Sequence, residues 1–326
     1  MANLVTYLVR RILFMIPVFL AVSIFTFLIT NSAGDPIQLI RLQFKSMPPA
    51  LLASLRTFYH LDQPLFVRYF LWLQQFLVGN LGFSPQSGQP VATKILPWIG
   101  TTLELQISAL LLSLGIGVPV GIYSAKHQYQ KSDVAVTTTA IFGVSMPTFW
   151  LGIMGILVFS LYLHWIPASG AVDFYNTGAW WDSNIYLNYA VHALLPVLVL
   201  TFVSIATIVR LVRANMLEVL RQDYILAARA SGIKERTITY RYALKNAITP
   251  IVTIVGLAFG FALAGAPGLE TTFSWPGLGY AFVQAALVLD LPTVQAITMI
   301  ITILVLIANL GTDLAYAYLD PRVRLS

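Results

Sequence analysis

Residues 12–29 form an apolar run without a single Asp, Glu, Lys or Arg. As a helix, a run of that length covers most of the ~30 Å of hydrocarbon in a bilayer, and it is too long to read as an ordinary core helix. Comparable runs recur, predicting membrane spans at about 12–30, 101–124, 136–163, 191–209, 247–266 and 294–318. The expected architecture is therefore all-α, a polytopic membrane protein with six transmembrane helices. Segments of ~10 residues with strict alternation, as a transmembrane barrel needs, are absent. Only 10% of the 326 residues are charged, where a soluble chain carries roughly 25%. Arg10-Arg11 ahead of the first run resembles the start of a signal peptide. The run exceeds the ~7–15 apolar residues of such a leader, so it is read as an uncleaved span.

The basic residues orient these spans. Fourteen of the nineteen Lys and Arg fall on one side: Arg10, Arg11, Lys126, Lys131, eight between 210 and 246, Arg322 and Arg324. The other five lie in the long first loop, 31–100, and long loops obey the positive-inside rule weakly. Both termini and the 210–246 segment are thus expected in the cytoplasm of a cell, with the multi-pass chain in its inner or plasma membrane and 31–100 outside. The net charge of +6 follows from these lipid-facing loops and calls for no nucleic acid. Within 31–100, Pro48-Pro49 and Asp62-Gln-Pro64 mark helix starts, since proline suits a first turn. After Pro64, the spacing of Phe66, Tyr69, Phe70, Leu73, Phe76 and Leu77 predicts an amphipathic helix too short to span, lying in the interface plane. Asn80-Leu-Gly-Phe-Ser and Gly88-Gln-Pro read as turns.

No engine is visible. With no cysteine, thiol nucleophiles, disulfides and thiolate metal sites are excluded. No P-loop and no His-Glu-x-x-His stretch occurs. His60, His127, His164 and His192 share no ligand spacing, so no metal ligand and no catalytic residue is assigned. Secondary carriers often bury acids in mid-span, but Glu104 opens the second expected span and Asp313 lies toward the inner end of the sixth. A membrane protein without an engine is expected to borrow one from a separate subunit.

The segment 210–246 suits such docking. It contains Arg210, Arg213, Arg221, Arg229, Lys234, Arg236, Arg241 and Lys245, offset by Glu218, Asp223 and Glu235. At its centre a helical pattern stops at Gly232, which permits a left-handed turn, and a second helical pattern follows. At 100° per residue, Ile233, Thr237, Tyr240, Leu244 and Ala247 share a face suited to packing on the spans. Ile238 and Tyr242 form an apolar knob on the charged side, which suits a cleft on a partner with charges setting register. A solvated loop, basic because it faces the cytosol, is the competing reading.

The sequence Asp223-Tyr-Ile-Leu-Ala-Ala-Arg-Ala-Ser-Gly232, followed by Tyr242-Ala-Leu-Lys-Asn-Ala-Ile-Thr-Pro250, resembles the EAA loop of ABC-importer permeases. More narrowly, the chain is similar to the B-type permeases of the dipeptide/oligopeptide/nickel transporter family. The likeness runs through Gly34-Asp-Pro36, Leu61-Asp-Gln-Pro64, Gly79-Asn-Leu-Gly82, Ser145-Met-Pro-Thr-Phe-Trp150, Phe273-Ser-Trp-Pro-Gly-Leu-Gly279 and Asp320-Pro-Arg-Val-Arg324. Leu226 stands where the general motif begins with Glu, so that position offers no docking salt bridge.

The resemblance implies a single permease domain of the type I ABC importer fold, pairing with a homologous C-type permease. It implies one or two cytoplasmic ATPases carrying the ATP and magnesium, and an extracytoplasmic substrate-binding protein; this chain itself would hold no cofactor. Asp223, Ala227, Ala228, Arg229, Gly232, Ile238, Tyr242 and Asn246 would belong to the ATPase-coupling surface, although Arg229 also reads as a topology determinant. Ser145, Met146, Pro147 and Trp150 would approach the translocation path or the partner permease, with a packing kink at Pro147 as the alternative. Glu270, Phe273, Trp275 and Pro276 would form an outer gate or a landing for the binding protein, with Glu270 meeting a basic group there. The cargo implied is di- or oligopeptide, with oligosaccharides, glutathione or nickel chelates as alternatives and a self-sufficient secondary carrier as the competing class.

Overall fold

The computed structural model describes residues 4–32, 54, 56–57, 61–173, 178–262 and 265–319. Gly34-Asp-Pro36, the Pro48-Pro49 helix start and the closing motif from Asp320 lie outside the described residues. Helix α1, Leu4–Ser32, shows large apolar side chains such as Phe14 and Phe25 on its surface, as suits a helix in lipid. Pro64 sits at the N-cap of α2, Leu65–Leu77, where its missing N–H leaves no donor unpaired. Leu73 and Phe76 of α2 are buried, and Phe27 of α1 stacks within 5.5 Å of both Tyr69 and Trp72. The turn-rich stretch beyond pairs as a small antiparallel ribbon, β1 Phe83–Ser84 and β2 Gln89–Pro90.

Helix α3, Val91–Lys126, begins about ten residues before the expected span at 101. Its early turns are held by tertiary packing: Val91 and Ile95 are buried against Leu278, Ala281, Ala296 and Ile297. The expected span 136–163 is instead two segments meeting at 101°. These are α4, Lys131–Ser145, and α5, Thr148–Gly155, the latter running on into π-helical turns at Ile156–Tyr162. The cause is Pro147, whose ring drives Met146 out of the helical region, to φ −91° and ψ 130°, and whose nitrogen cannot donate.

Helix α6, Ile185–Leu220, continues well past the expected span end at 209. Arg210 and Arg213 therefore ride on it and not on a loop. A Gln222 N-cap then starts α7, Asp223–Ala230. A short α8, Glu235–Thr237, leads through π-helical turns Ile238–Ala243 into α9, Leu244–Ala262. Next come α10, Pro267–Thr272, α11, Leu278–Leu287, and α12, Leu291–Leu319.

Among the described residues, four helices are each long and apolar enough to cross a membrane, at 6–32, 91–126, 185–220 and 291–314, or five if the bent α4–α5 pair counts as one span. The other span expected, 247–266, falls on α9, which is outside that count. Helices α3 and α6 form the central contact. A Cβ at Gly121 of α3 would stand 2.7 Å from Cβ of Val212 and 3.0 Å from the Val209 carbonyl oxygen. Backbones approach this closely only over small residues, the packing mode helices use where lipid supplies no hydrophobic drive.

Candidate functional site

The docking candidate is built from α7 outward. Asp223 in its first turn faces the positive end of the helix dipole. One side of α7 is structural: Ile225 and Ala228 are buried with Ile122 and Ala125 of α3, Val212 and Met216 of α6, and Ile238 and Ala243 of the π-helical turns. The other side is open, with Tyr224 exposed and Leu226 at 53%, beside exposed Ala227, Arg229 and Ala230. The helix stops in a Schellman turn: Ile233 N–H donates to the Ala228 carbonyl (3.2 Å) and Gly232 N–H to that of Arg229 (3.0 Å). Gly232 has φ +75° and a Cβ there would meet nothing within 4 Å. Replacing it with alanine therefore has a backbone cost alone. We expect a loss of about 1 kcal/mol of stability, read as a small drop in melting temperature.

Across that turn Arg229 Nε donates to Glu235 Oε1 at 2.7 Å, with the two side chains 40% and 56% exposed. So exposed a pair contributes roughly 0–1 kcal/mol, so Arg229→Ala is expected to leave the melting temperature within a degree or two. Asn246 of α9 ties the module together, donating from Nδ2 to the Tyr224 hydroxyl (2.8 Å) and the Tyr242 carbonyl (3.0 Å).

The expected knob of Ile238 and Tyr242 does not form. Ile238 is fully buried, whereas Tyr240, expected to face the spans, is exposed. The buried set is Ile238, Thr239, Ala243 and Ala247. The cause is the π-helical stretch Ile238–Ala243, whose i→i+5 bonding widens the turn and turns Ile238 inward and Tyr240 outward, while Ile233, Leu244 and Ala247 pack inward as the 100° projection expects. Thus Asp223, Ala227, Arg229, Gly232, Tyr242 and Asn246 lie on the exposed module, with Ala228 and Ile238 beneath it.

Beside this module is a group that sequence reading passed over. Asp133, at the start of α4, is 2% exposed. Its two oxygens accept from Arg213 Nε (2.7 Å) and Nη2 (2.8 Å) of α6, from the Tyr129 N–H (2.8 Å) and from the Ser124 hydroxyl of α3. These donors satisfy and offset the charge of a carboxylate that would otherwise be costly to bury. Partners eighty positions apart share no sequence pattern; the available signal was an acid just ahead of an apolar run in a chain with only 13 acids.

The gate candidates divide. Ser145, Pro147 and Trp150 are exposed at the α4–α5 break, with Met146 half-buried. Glu270, Phe273 and Trp275 are turned inward, at 1%, 2% and 0% exposure, with Pro276 partly covered. The expected contact of Glu270 with a basic group on a binding protein is replaced by a cage within the chain. Its carboxylate accepts from the N–H groups of Tyr280 (2.9 Å) and Ala266 (3.3 Å), with the Thr102 hydroxyl 3.4 Å away. Burying a carboxylate is tolerable only with such donors. The two candidate sets meet through Gly152 of α5, where a Cβ would stand 3.0 Å from the Phe273 ring. An apolar groove of about 740 Å³ opens between α3, α9 and α12, lined by Leu103, Ile107, Val252, Val255, Leu304 and Ile307 among others. Among the described residues no three His, Asp or Glu side chains converge to hold a metal ion.

Comparison with known proteins bears on this arrangement. A family profile described as binding-protein-dependent transport system inner membrane component matches residues 117–325, and the N-terminal profile for such components matches 4–104. The oligopeptide transport system permease protein AppB of Bacillus subtilis is 38% identical, covering 97% of this chain and 98% of its own length. The dipeptide transport system permease proteins DppB of Alkalihalophilus pseudofirmus and Escherichia coli are 36% and 33% identical, each over 98% of this chain and over 100% and 98% of their own lengths. Among solved structures, a chain of the MetNI methionine ABC transporter superposes with a TM-score of 0.52 at 18% identity, over 70% of this chain and 96% of its own.

Proposed function

Because the chain belongs to the binding-protein-dependent transport system inner membrane components, we propose that it is the permease subunit of an ABC importer that moves di- and oligopeptides across the membrane. The peptide cargo follows the relatives named for oligopeptide and dipeptide transport. The observation that carries the working mechanism is the two-sided α7. Its inner side is fused to α3 and α6 through Ile225 and Ala228, and its outer side offers Tyr224, Leu226 and Ala227 to a partner. A helix fixed on one side and apolar on the other transmits force from whatever grips it. We assign the gripping partner as a cytoplasmic ATPase, so that α7 and both termini lie in the cytoplasm, the side favoured by the Lys and Arg distribution.

ATP and magnesium belong to that partner in this reading, and closure of the ATPase pair rocks the helices between two openings. A second, homologous permease faces the groove between α3, α9 and α12, and the path runs along that seam. A substrate-binding protein delivers cargo from outside. The chain itself catalyses no reaction.

A tag on the C-terminal end, purification from native membranes and mass spectrometry test this. The expected result is recovery of a second permease, one or two P-loop ATPases and a membrane-tethered binding protein. The ligand on that binding protein decides peptide against oligosaccharide, glutathione or nickel chelate. A chain recovered alone and active in liposomes without ATP overturns the reading in favour of a secondary carrier. Leu226→Lys places a charge opposite in sign to the general motif's Glu at the centre of the α7 contact, and losing such a contact costs about 2 kcal/mol. ATPase affinity is expected to fall about thirtyfold, measured by titrating ATPase onto the reconstituted permease, while the melting temperature of the permease stays unchanged.

A further inference from the structure

The Asp133–Arg213 pair has a place in the fold that its contribution to stability does not explain. It joins three elements: Ser124 lies near the end of α3, Asp133 near the start of α4 and Arg213 on α6. Arg213 follows Val212, and both Val212 and Met216 are fully buried in the cluster that holds Ile225 and Ala228 of α7. The stretch of α6 that carries the docking helix thus also carries the guanidinium.

The buried residues of α4 are Asp133, Ala140 and Gly143, so beyond the ion pair it meets α6 through uncharged packing, with a Cβ at Gly143 standing 3.0 Å from that of Ala206 and 3.4 Å from the Phe202 ring. Between the pair and that contact lies about 260 Å³ of open space, bounded by Val136, Thr139 and Ala140 of α4 and by Phe202, Ile205 and Val209 of α6. About 20 Å from Asp133, at a rise of ~1.5 Å per residue, α4 ends at the 101° break into α5. Helix α5 in turn packs through Gly152 on Phe273.

We infer that Asp133, Arg213 and Ser124 form a positioning clamp through which movement of the docking helix is passed to the bent α4–α5 pair. The inference rests on the proposed importer function. The physical reason is that apolar contacts slide at little cost, whereas separating this bidentate pair strands the buried Asp133 carboxylate, Arg213 being partly exposed. When α6 and α7 are pulled by the ATPase, the near end of α4 must follow. Its middle lines the open space and is held beyond it by the Gly143–Ala206 contact, so α4 shifts as a rod and the break at Pro147 passes that shift toward Phe273.

The test uses the complete complex, with both permeases, ATPases and binding protein, in liposomes. Solute taken up per ATP hydrolysed is measured alongside melting temperature. For Asp133→Asn, uptake per ATP is expected to fall at least tenfold, with hydrolysis continuing. Arg213→Lys, which keeps the charge but not the two-pronged bond, should be intermediate. The deciding variant is the double substitution Asp133→Leu with Arg213→Met, because refilling a buried ion pair with apolar side chains often restores or raises stability. A stable double variant with uptake per ATP still lowered tenfold supports the clamp. A double variant with native uptake per ATP overturns it and leaves the pair a stability element only. Failure of the unsubstituted complex to take up solute with ATP would instead remove the importer reading itself.

Discussion

Gly277→Ala is expected to destabilise the folded permease by about 3–5 kcal/mol, enough to deplete it from the membrane. A Cβ at position 277 would run into Glu270 Oε2 and lie 2.6 Å from the Thr102 hydroxyl oxygen and 2.7 Å from Glu270 Cδ. None of these atoms ends a side chain that can swing into solvent. Glu270 is 1% exposed and Thr102 is fully buried. Moving the carboxylate breaks its bonds to the N–H groups of Tyr280 and Ala266. Moving Thr102 breaks the bond it accepts from the Leu278 N–H at 2.8 Å. Overpacking alone costs about 1–3 kcal/mol, and each buried donor left unsatisfied adds about 1–3 kcal/mol. Gly115→Ala is the control. It lies inside α3, where a Cβ meets nothing within 4 Å, and should gain up to about 1 kcal/mol from helix propensity. Melting temperature and monodispersity in detergent read both variants. Equal melting of Gly277→Ala and the parent would mean that the carboxylate cage does not exist as described.

Trp275→Ala is expected to cost about 3–5 kcal/mol, the range for deleting a buried large aromatic, and to abolish most uptake with it. The ring is fully buried with Leu105, Ala109, Leu195 and Val199, stands 5.3 Å from the Tyr189 ring, and donates from Nε1 to the Thr101 carbonyl at 3.3 Å. Trp275→Phe keeps most of the apolar contact but loses that donor, and should fall between at about 1–2 kcal/mol. The two variants separate anchoring from gating. An anchor loses stability and transport together, in proportion. A gate residue would leave melting unchanged and let solute leak in the absence of ATP, and that outcome would return Trp275 to the exposed gate expected from sequence.

The two substitutions also mark what could be read from the residues and what could not. Length and apolarity place long helices wherever lipid is the solvent, because a backbone in hydrocarbon must satisfy itself; α1, α3, α6 and α12 follow from that alone. Pro64 announced α2, and Gly232 announced the end of α7, since each restricts the backbone locally. Direction was harder. Glu270 looked like an outward-facing acid because it sits in a loop without Lys or Arg, and only the fold reveals the N–H groups that draw it inward. The same limit hid Asp133 and Arg213, which recognise each other across the bundle. At Ile238–Ala243 the failure was one of angle: a pattern drawn at 3.6 residues per turn was applied to a helix that is locally wider. The break at Pro147 was legible in the residues, but its angle of 101° was not.

One dimension of α6 reaches beyond its packing. At 36 residues it is about 54 Å long, against ~30 Å of hydrocarbon, so it is longer than the lipid tails it crosses. A rod of that length pivoting near the bilayer midplane converts a tilt of about 5° into about 2 Å at its tip, next to α7. Lipid thickness biases the tilt of such a rod. The height at which α7 sits is thus expected to follow the acyl chains around α6, which would make the membrane a mechanical component of the permease as well as its solvent.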